Sequence, residues 1–150
     1  MTYEFRFIAT SGVASEIVRI VGDSTQIEHG AWLLHSCYIS PLKAKKQNEI
    51  RLRKREAELD SPNLAFQRVD IKDFSTELSG VDMDEMGISG FTQKLEDLVS
   101  EAATEEFWNS AQVHIGLCDG IYWTIASKDS NELERIQSEL RRRLPKLKFE

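Results

Sequence analysis

Tyr3, Phe5 and Phe7 alternate with Glu4 and Arg6 ahead of Ile8-Ala9-Thr10. A period of two marks a strand. Val13, Ile17, Ile20 and Val21 then fall at helical spacing, with Ser11 as N-cap and Gly22 as the stop. The run Ile17-Val18-Arg19-Ile20-Val21 is β-branched, so a strand stays open as the alternative over 13–21. Ala31 to Ser40 is nearly all apolar and Pro41 closes it. This pattern predicts a central strand covered on both faces.

Over 43–55, Ile50 and Leu52 alternate with Glu49, Arg51 and Arg53, which suits a one-sided strand, although the flanks equally suit a helix. Asp60-Ser61-Pro62-Asn63 reads as a turn. Val69 and Ile71 then alternate with Arg68, Asp70 and Lys72, which predicts a second exposed strand within 64–72 as hairpin partner of the first. Residues 73–90 hold five acids, no base and three glycines, and read as a loop. Phe91, Leu95, Leu98, Val99 and Ala102 predict an amphipathic helix with Ser89 or Thr92 near its cap.

The most specific local signal is Asp119-Gly120 between the alternating runs Val113–Cys118 and Ile121–Ile125. Asp-Gly suits a type I′ turn, whose two central residues need positive φ. A two-residue loop sets Cys118 against Ile121, Gly116 against Trp123 and His114 against Ile125. The Trp123 ring would then lie over Gly116. Asp129-Ser130-Asn131-Glu132 suits a capping box, and Leu133, Ile136, Leu140 and Leu144 form a stripe on a helix that Pro145 ends. Leu147 and Phe149 suggest a short last strand. With no repeat and no linker, residues 1–150 are expected to form a single α+β domain, a mostly antiparallel sheet with two or three helices packed on it.

The 150 residues are 41% apolar and 29% charged, which excludes a disordered tail and a membrane protein. A chain of this size buries roughly 68–70% of its unfolded surface, so it can build a core without metals or disulfides. The N-terminus lacks a basic segment followed by an apolar one, so no signal peptide is expected. Cys37 and Cys118 are read as two reduced, buried thiols of a cytoplasmic protein.

His35-x-Cys37 and His114-x-x-x-Cys118 each place two zinc-type ligands on one strand face. Their spacing matches no short zinc motif, and no metal is expected. Asp82-Met83-Asp84-Glu85-Met86-Gly87 opens like a calcium loop, but Met86 stands at position 5 and Gln93 at position 12, where oxygen ligands are needed. No cofactor is expected. Residues two apart on a strand lie roughly 6.5–7 Å apart along the axis, so neither Cys–His pair is assembled locally. G-x-S-x-G, H-E-x-x-H and P-loop motifs are absent.

Charge is unevenly distributed. Residues 43–55 carry a net +6, residues 70–106 a net −9 and the whole chain −6. No aromatic residue is interleaved in 43–55 to stack bases, which argues against nucleic acid. The acidic tract points to a protein partner with a basic surface, met by Asp82, Asp84, Glu85, Glu96, Asp97 and Glu101. The competing possibility is internal pairing of 43–55 with 70–106. The leading expectation is a non-catalytic acidic binding domain of the immunity or inhibitor type. The alternatives are a small enzyme whose pocket is lined by His35, Cys37, His114 or Cys118, and a nucleic-acid adaptor using 43–55. A deep pocket walled by those four residues would favour the enzyme; a packed core there would favour the binder.

Overall fold

The computed structural model describes residues 2–27, 30–40, 47–60, 66–94 and 105–150. In chain order the strands are β1 (Tyr3–Ile8), β2 (Ala31–Ile39), β3 (Gln67–Val69), β4 (Met83–Phe91), β5 (Val113–Cys118), β6 (Tyr122–Ser127) and β7 (Lys148–Phe149). The helices are α1 (Ala14–Ser24), α2 (Gln47–Leu59), α3 (Ile71–Glu77), α4 (Glu105–Asn109) and α5 (Ser130–Arg143). The strands form one antiparallel sheet in the order β3-β2-β4-β5-β6-β1-β7, an α+β domain.

Four helices cover one face. Ile17, Val18, Ile20 and Val21 of α1, Leu52 of α2, Phe74 of α3, and Ile136 and Leu140 of α5 join Phe7, Leu34, Ile88, Ile115, Trp123 and Ile125 of the sheet in one core. Full burial of each aliphatic chain contributes about 1.5–3 kcal/mol relative to exposure. Trp123 stacks on Phe7, ring centroids 6.0 Å apart, and its indole N–H donates to the Ala9 carbonyl at 3.2 Å. The opposite face is covered at one corner by α4. There Phe107 and Trp108 pack with Ala31, Leu33 and Phe91. Much of the remaining face carries small and polar residues. Among the described residues, no helix is long and apolar enough to cross a membrane.

Several expectations need correction. The stretch 13–21 is helical, after a 3-10 turn at Ser11–Val13, and Val13 occupies the cap position without a side-chain cap bond. Gly22 lies inside α1 and is not its stop. A Cβ there would stand 3.0 Å from Ile71 Cγ1, so the glycine permits α1 and α3 to pack closely. Segment 47–59 is a helix, not a strand. The Ile50/Leu52 alternation misleads because Ile50 is 62% exposed while Leu52 is buried. Its proposed hairpin partner shrinks to β3, which pairs with β2.

The expected loop over 73–90 instead contains the rest of α3 and most of β4, a central strand. The Asp70 carboxylate caps α3 by accepting from the Lys72 and Asp73 amides. Of the three glycines that suggested a loop, Gly80 is a turn residue with φ of 73°, while Gly87 and Gly90 lie in β4 and leave space for rings of neighbouring residues. A Cβ on Gly90 would come within 3.0 Å of Trp32. Ser89 and Phe91 belong to β4, not to the start of a helix. Of the helix predicted over 91–102, residues 95–102 lie outside the described residues.

The turn at Asp119-Gly120 has positive φ at both residues, 53° and 76°. The register beyond it is one residue off the expectation. Cys118 pairs with Tyr122, Leu117 with Trp123 and Gly116 with Thr124. This slip puts Val113, Ile115 and Leu117 on the same buried face as Trp123 and Ile125, so hydrophobic matching overrides the two-residue loop. Trp123 therefore does not cover Gly116. At α5, Asp129 accepts from the Asn131 and Glu132 amides, but the Glu132 carboxylate turns inward and accepts from Ser127 Oγ at 2.8 Å.

Candidate functional site

Leu34 and Cys37 both point into the helix-covered core, although they lie three positions apart on β2. A strand of strict alternation cannot do this. A β-bulge resolves it: Leu34 pairs with Ile88, Ser36 with Gly87 and Cys37 with Met86, leaving His35 as the extra residue. Bulges re-aim side chains. Here the bulge sends His35 onto the open face, away from Cys37. The expected shared face for His35 and Cys37 is thus overturned.

On β5 the strict alternation holds. His114, Gly116 and Cys118 share the open face while Val113, Ile115 and Leu117 are buried. Between these strands lies β4, whose Ser89 pairs with both Leu33 and His114. The Ser89 hydroxyl sits between the two imidazoles, 3.3 Å from His35 Nε2 and 3.0 Å from His114 Nδ1. The rings are nearly parallel, with centroids 5.4 Å apart. Trp108 of α4 packs on His35 at 4.6 Å.

Burial keeps these imidazoles neutral. His35 is pushed down to about 4, first by desolvation and then by the neighbouring His114. His114 is lowered from its ordinary value by desolvation. One hydroxyl proton can be donated to only one ring, so the other ring must donate to Oγ if both contacts are hydrogen bonds. His35, Ser89 and His114 therefore form a polar row in which a tautomer change at one ring is tied to the other.

The outer nitrogens of the row overlook glycine. A Cβ on Gly87 would run into the His35 ring, nearest its Cε1, with Nδ1 at 2.9 Å and Nε2 at 3.1 Å, and one on Gly116 would lie 3.2 Å from His114 Nε2. Gly87 and Gly116 are direct cross-strand partners. Beside the two rings lies a hollow of about 460 Å³, walled by His35, His114, Ser36, Glu85, Cys118, Tyr122 and Thr124. A second hollow of about 230 Å³ lies on the Trp108 side of the same imidazoles. A wider groove of about 710 Å³ between α1 and α5 is lined by exposed charges such as Asp23, Glu134 and Arg135. Among the described residues no such polar row lines it, so the smaller hollows are the better chemical candidates despite their size.

The sequence candidates scatter. Cys37 is buried and its thiol is pushed up to about 12, chiefly by desolvation. Cys118 is exposed at the rim of the hollow, not buried as expected. Among the described residues no group of three or more His, Cys, Asp or Glu is placed to hold a metal ion. The calcium-like run 82–87 is mostly extended strand.

Of the acidic partner residues, Asp82, Asp84 and Glu85 are exposed at the entry to β4, and Glu85 accepts from Ser36 Oγ at 3.2 Å. Glu96, Asp97 and Glu101 lie outside the described residues. The basic and acidic segments do touch. Arg55 binds the Glu77 carboxylate through two nitrogens, at 2.7 and 3.0 Å, and lies over the Phe74 ring. Arg51, Arg53 and Lys54 remain exposed on α2.

Ser89 was missed as a site residue because it lay in a stretch read as loop. The available signal was Gly87 and Gly90 on either side of Ser89 within the otherwise apolar run 86–91. Comparison with protein-family models, with curated proteins and with solved structures finds no match.

Proposed function

We propose that this protein binds a small molecule in the hollow on the open face of its sheet, with His35, Ser89 and His114 as the recognising row. The observation that carries this reading is the buried Ser89 hydroxyl held between two partly buried, neutral imidazoles beside a hollow lined by Gly87 and Gly116. Buried polar rows are costly unless every member is satisfied, and an apolar patch would stabilise the sheet more simply. Titratable groups shifted by desolvation and facing a concavity are the usual candidates for a functional site. This reading is closest to the dispersed-site alternative, with His35, His114 and Cys118 on the hollow and Cys37 apart in the core.

The test is incubation of the purified protein with a metabolite extract, washing, and mass spectrometry of what denaturation releases. Gly116→Val fills the floor of the hollow and serves as the control. The reading predicts a compound enriched by the native protein and not by the variant. Enrichment of nothing, or equal enrichment by both, contradicts it.

A second reading keeps the acidic surface as a docking site for a basic protein, in the manner of an immunity or inhibitor protein. It is favoured by the succession of exposed acids Asp82, Asp84 and Glu85 at the start of β4. Rim acids of this kind raise association rates with cationic partners. Capture of a basic protein by the native chain, lost in an Asp84→Asn/Glu85→Gln variant, would support it. Capture that ignores the substitutions would remove it.

A further inference from the structure

Resting on that small-molecule reading, we infer that the hollow takes a neutral, planar ligand carrying a hydrogen-bond donor and an acceptor on one edge, as a lactam, cyclic urea or pyrimidine-like ring does.

The argument starts from proton counting along the row. If His35 Nε2 donates to Ser89 Oγ, the hydroxyl donates to His114 Nδ1. His35 Nδ1 is then a bare acceptor and His114 Nε2 carries a proton. In the reverse arrangement His114 Nδ1 donates, the hydroxyl points to His35 Nε2, and the outer nitrogens exchange roles. Either way the hollow is offered one donor and one acceptor, never two of a kind. The remaining possibility, both rings donating to Oγ, leaves the hydroxyl proton without an acceptor in a buried position. Among the described residues Ser89 Oγ has these two partners.

The shape supports a flat ligand. Gly87 and Gly116, paired directly, line the hollow without side chains, and the two imidazoles lie close above them, so a flat ring fits beside the imidazoles with its edge towards their outer nitrogens. The charge supports a neutral one. Among the described residues the lining contains no Lys or Arg to serve as counter-charge for an anion, and its carboxylate, Glu85, accepts from Ser36 at the rim. A ligand with complementary groups on one edge satisfies both nitrogens in either arrangement by turning over.

The test uses 2-pyridone, which has an N–H beside a C=O on a flat ring, and N-methyl-2-pyridone, which has the same ring without the donor. Titration into the native protein is followed by the ring signals of His35 and His114. The inference predicts that 2-pyridone shifts both sets of signals and that N-methylation weakens binding roughly tenfold, since it leaves one polar nitrogen unpaired. Ser89→Ala, shown to be folded by its melting curve, should reduce the preference between the two probes. Equal binding of both probes by the native protein overturns the inference and leaves the small-molecule reading standing. A ligand recovered from extract while neither probe binds has the same meaning. No ligand from extract and no binding of either probe would overturn both.

Discussion

Gly87 and Gly116 face each other directly across β4 and β5, and the imidazoles of His35 and His114 stand over the space their side chains would fill. The pairing of two glycines in the middle of a sheet is a poor choice for strand stability. Here it makes room for two rings and leaves a hollow beside them. Gly87→Ala should push His35 off its position and break its contact with Ser89. The expected cost is about 1–3 kcal/mol, as for other overpacking changes, read by urea denaturation. Gly116→Ala should cost less, because its Cβ only approaches His114 Nε2 to 3.2 Å.

Acid should destabilise the fold through the histidines. His35 has a folded-state pKa of about 4 against 6.5 for an unperturbed imidazole, and His114 is shifted the same way. Over that interval the unfolded chain binds more protons than the folded one, so stability is fully present above pH 6.5 and falls as pH drops towards 4. The part due to His35 alone is roughly 3 kcal/mol at full extent. Denaturation curves of the native protein and of His35→Gln at pH 7 and pH 5 check this. The native protein should lose more stability than the variant, and equal losses would count against a neutral buried His35.

The two cysteines should differ sharply towards a thiol reagent. Cys118 is exposed at the hollow, whereas Cys37 is buried with its thiol pushed up to about 12. Thiolates, not thiols, react. Under native conditions one equivalent of maleimide should attach, at Cys118, and a second only after unfolding. Rapid native labelling of Cys37 would contradict its place in the core.

Gly120 should resist substitution. Its φ of 76° is left-handed, and a Cβ would stand 3.3 Å from the Met83 carbonyl oxygen. Gly120→Ala is expected to lower stability by about 1 kcal/mol or more. An unchanged melting temperature would argue against this turn geometry.

The elements most legible in the sequence were those whose local chemistry agreed with their tertiary role. β1, the Asp119-Gly120 turn and α5 with its Asp129 cap are of this kind. α2 was obscured because only Leu52 among its residues is a fully buried apolar side chain, too little to set a helical period against the Ile50/Leu52 alternation. β4 was obscured because its glycines and acids resemble a loop until β2 supplies His35 and Trp32 over Gly87 and Gly90. The site suffered for the same reason. His35 and His114 were visible as candidates, but the bulge that separates His35 from Cys37, and the Ser89 that joins the histidines, depend on pairings between strands distant in sequence.

The most direct test of the site is long-range nitrogen–proton NMR of the two imidazole rings at pH 6.5, the ordinary imidazole pKa. If His35, Ser89 and His114 form one hydrogen-bonded row, both rings are neutral and carry their protons on the same-named nitrogen, both on Nε2 or both on Nδ1. Ser89→Ala should release that match. A substantial imidazolium population, or a mixed tautomer pair in the native protein, would contradict the account.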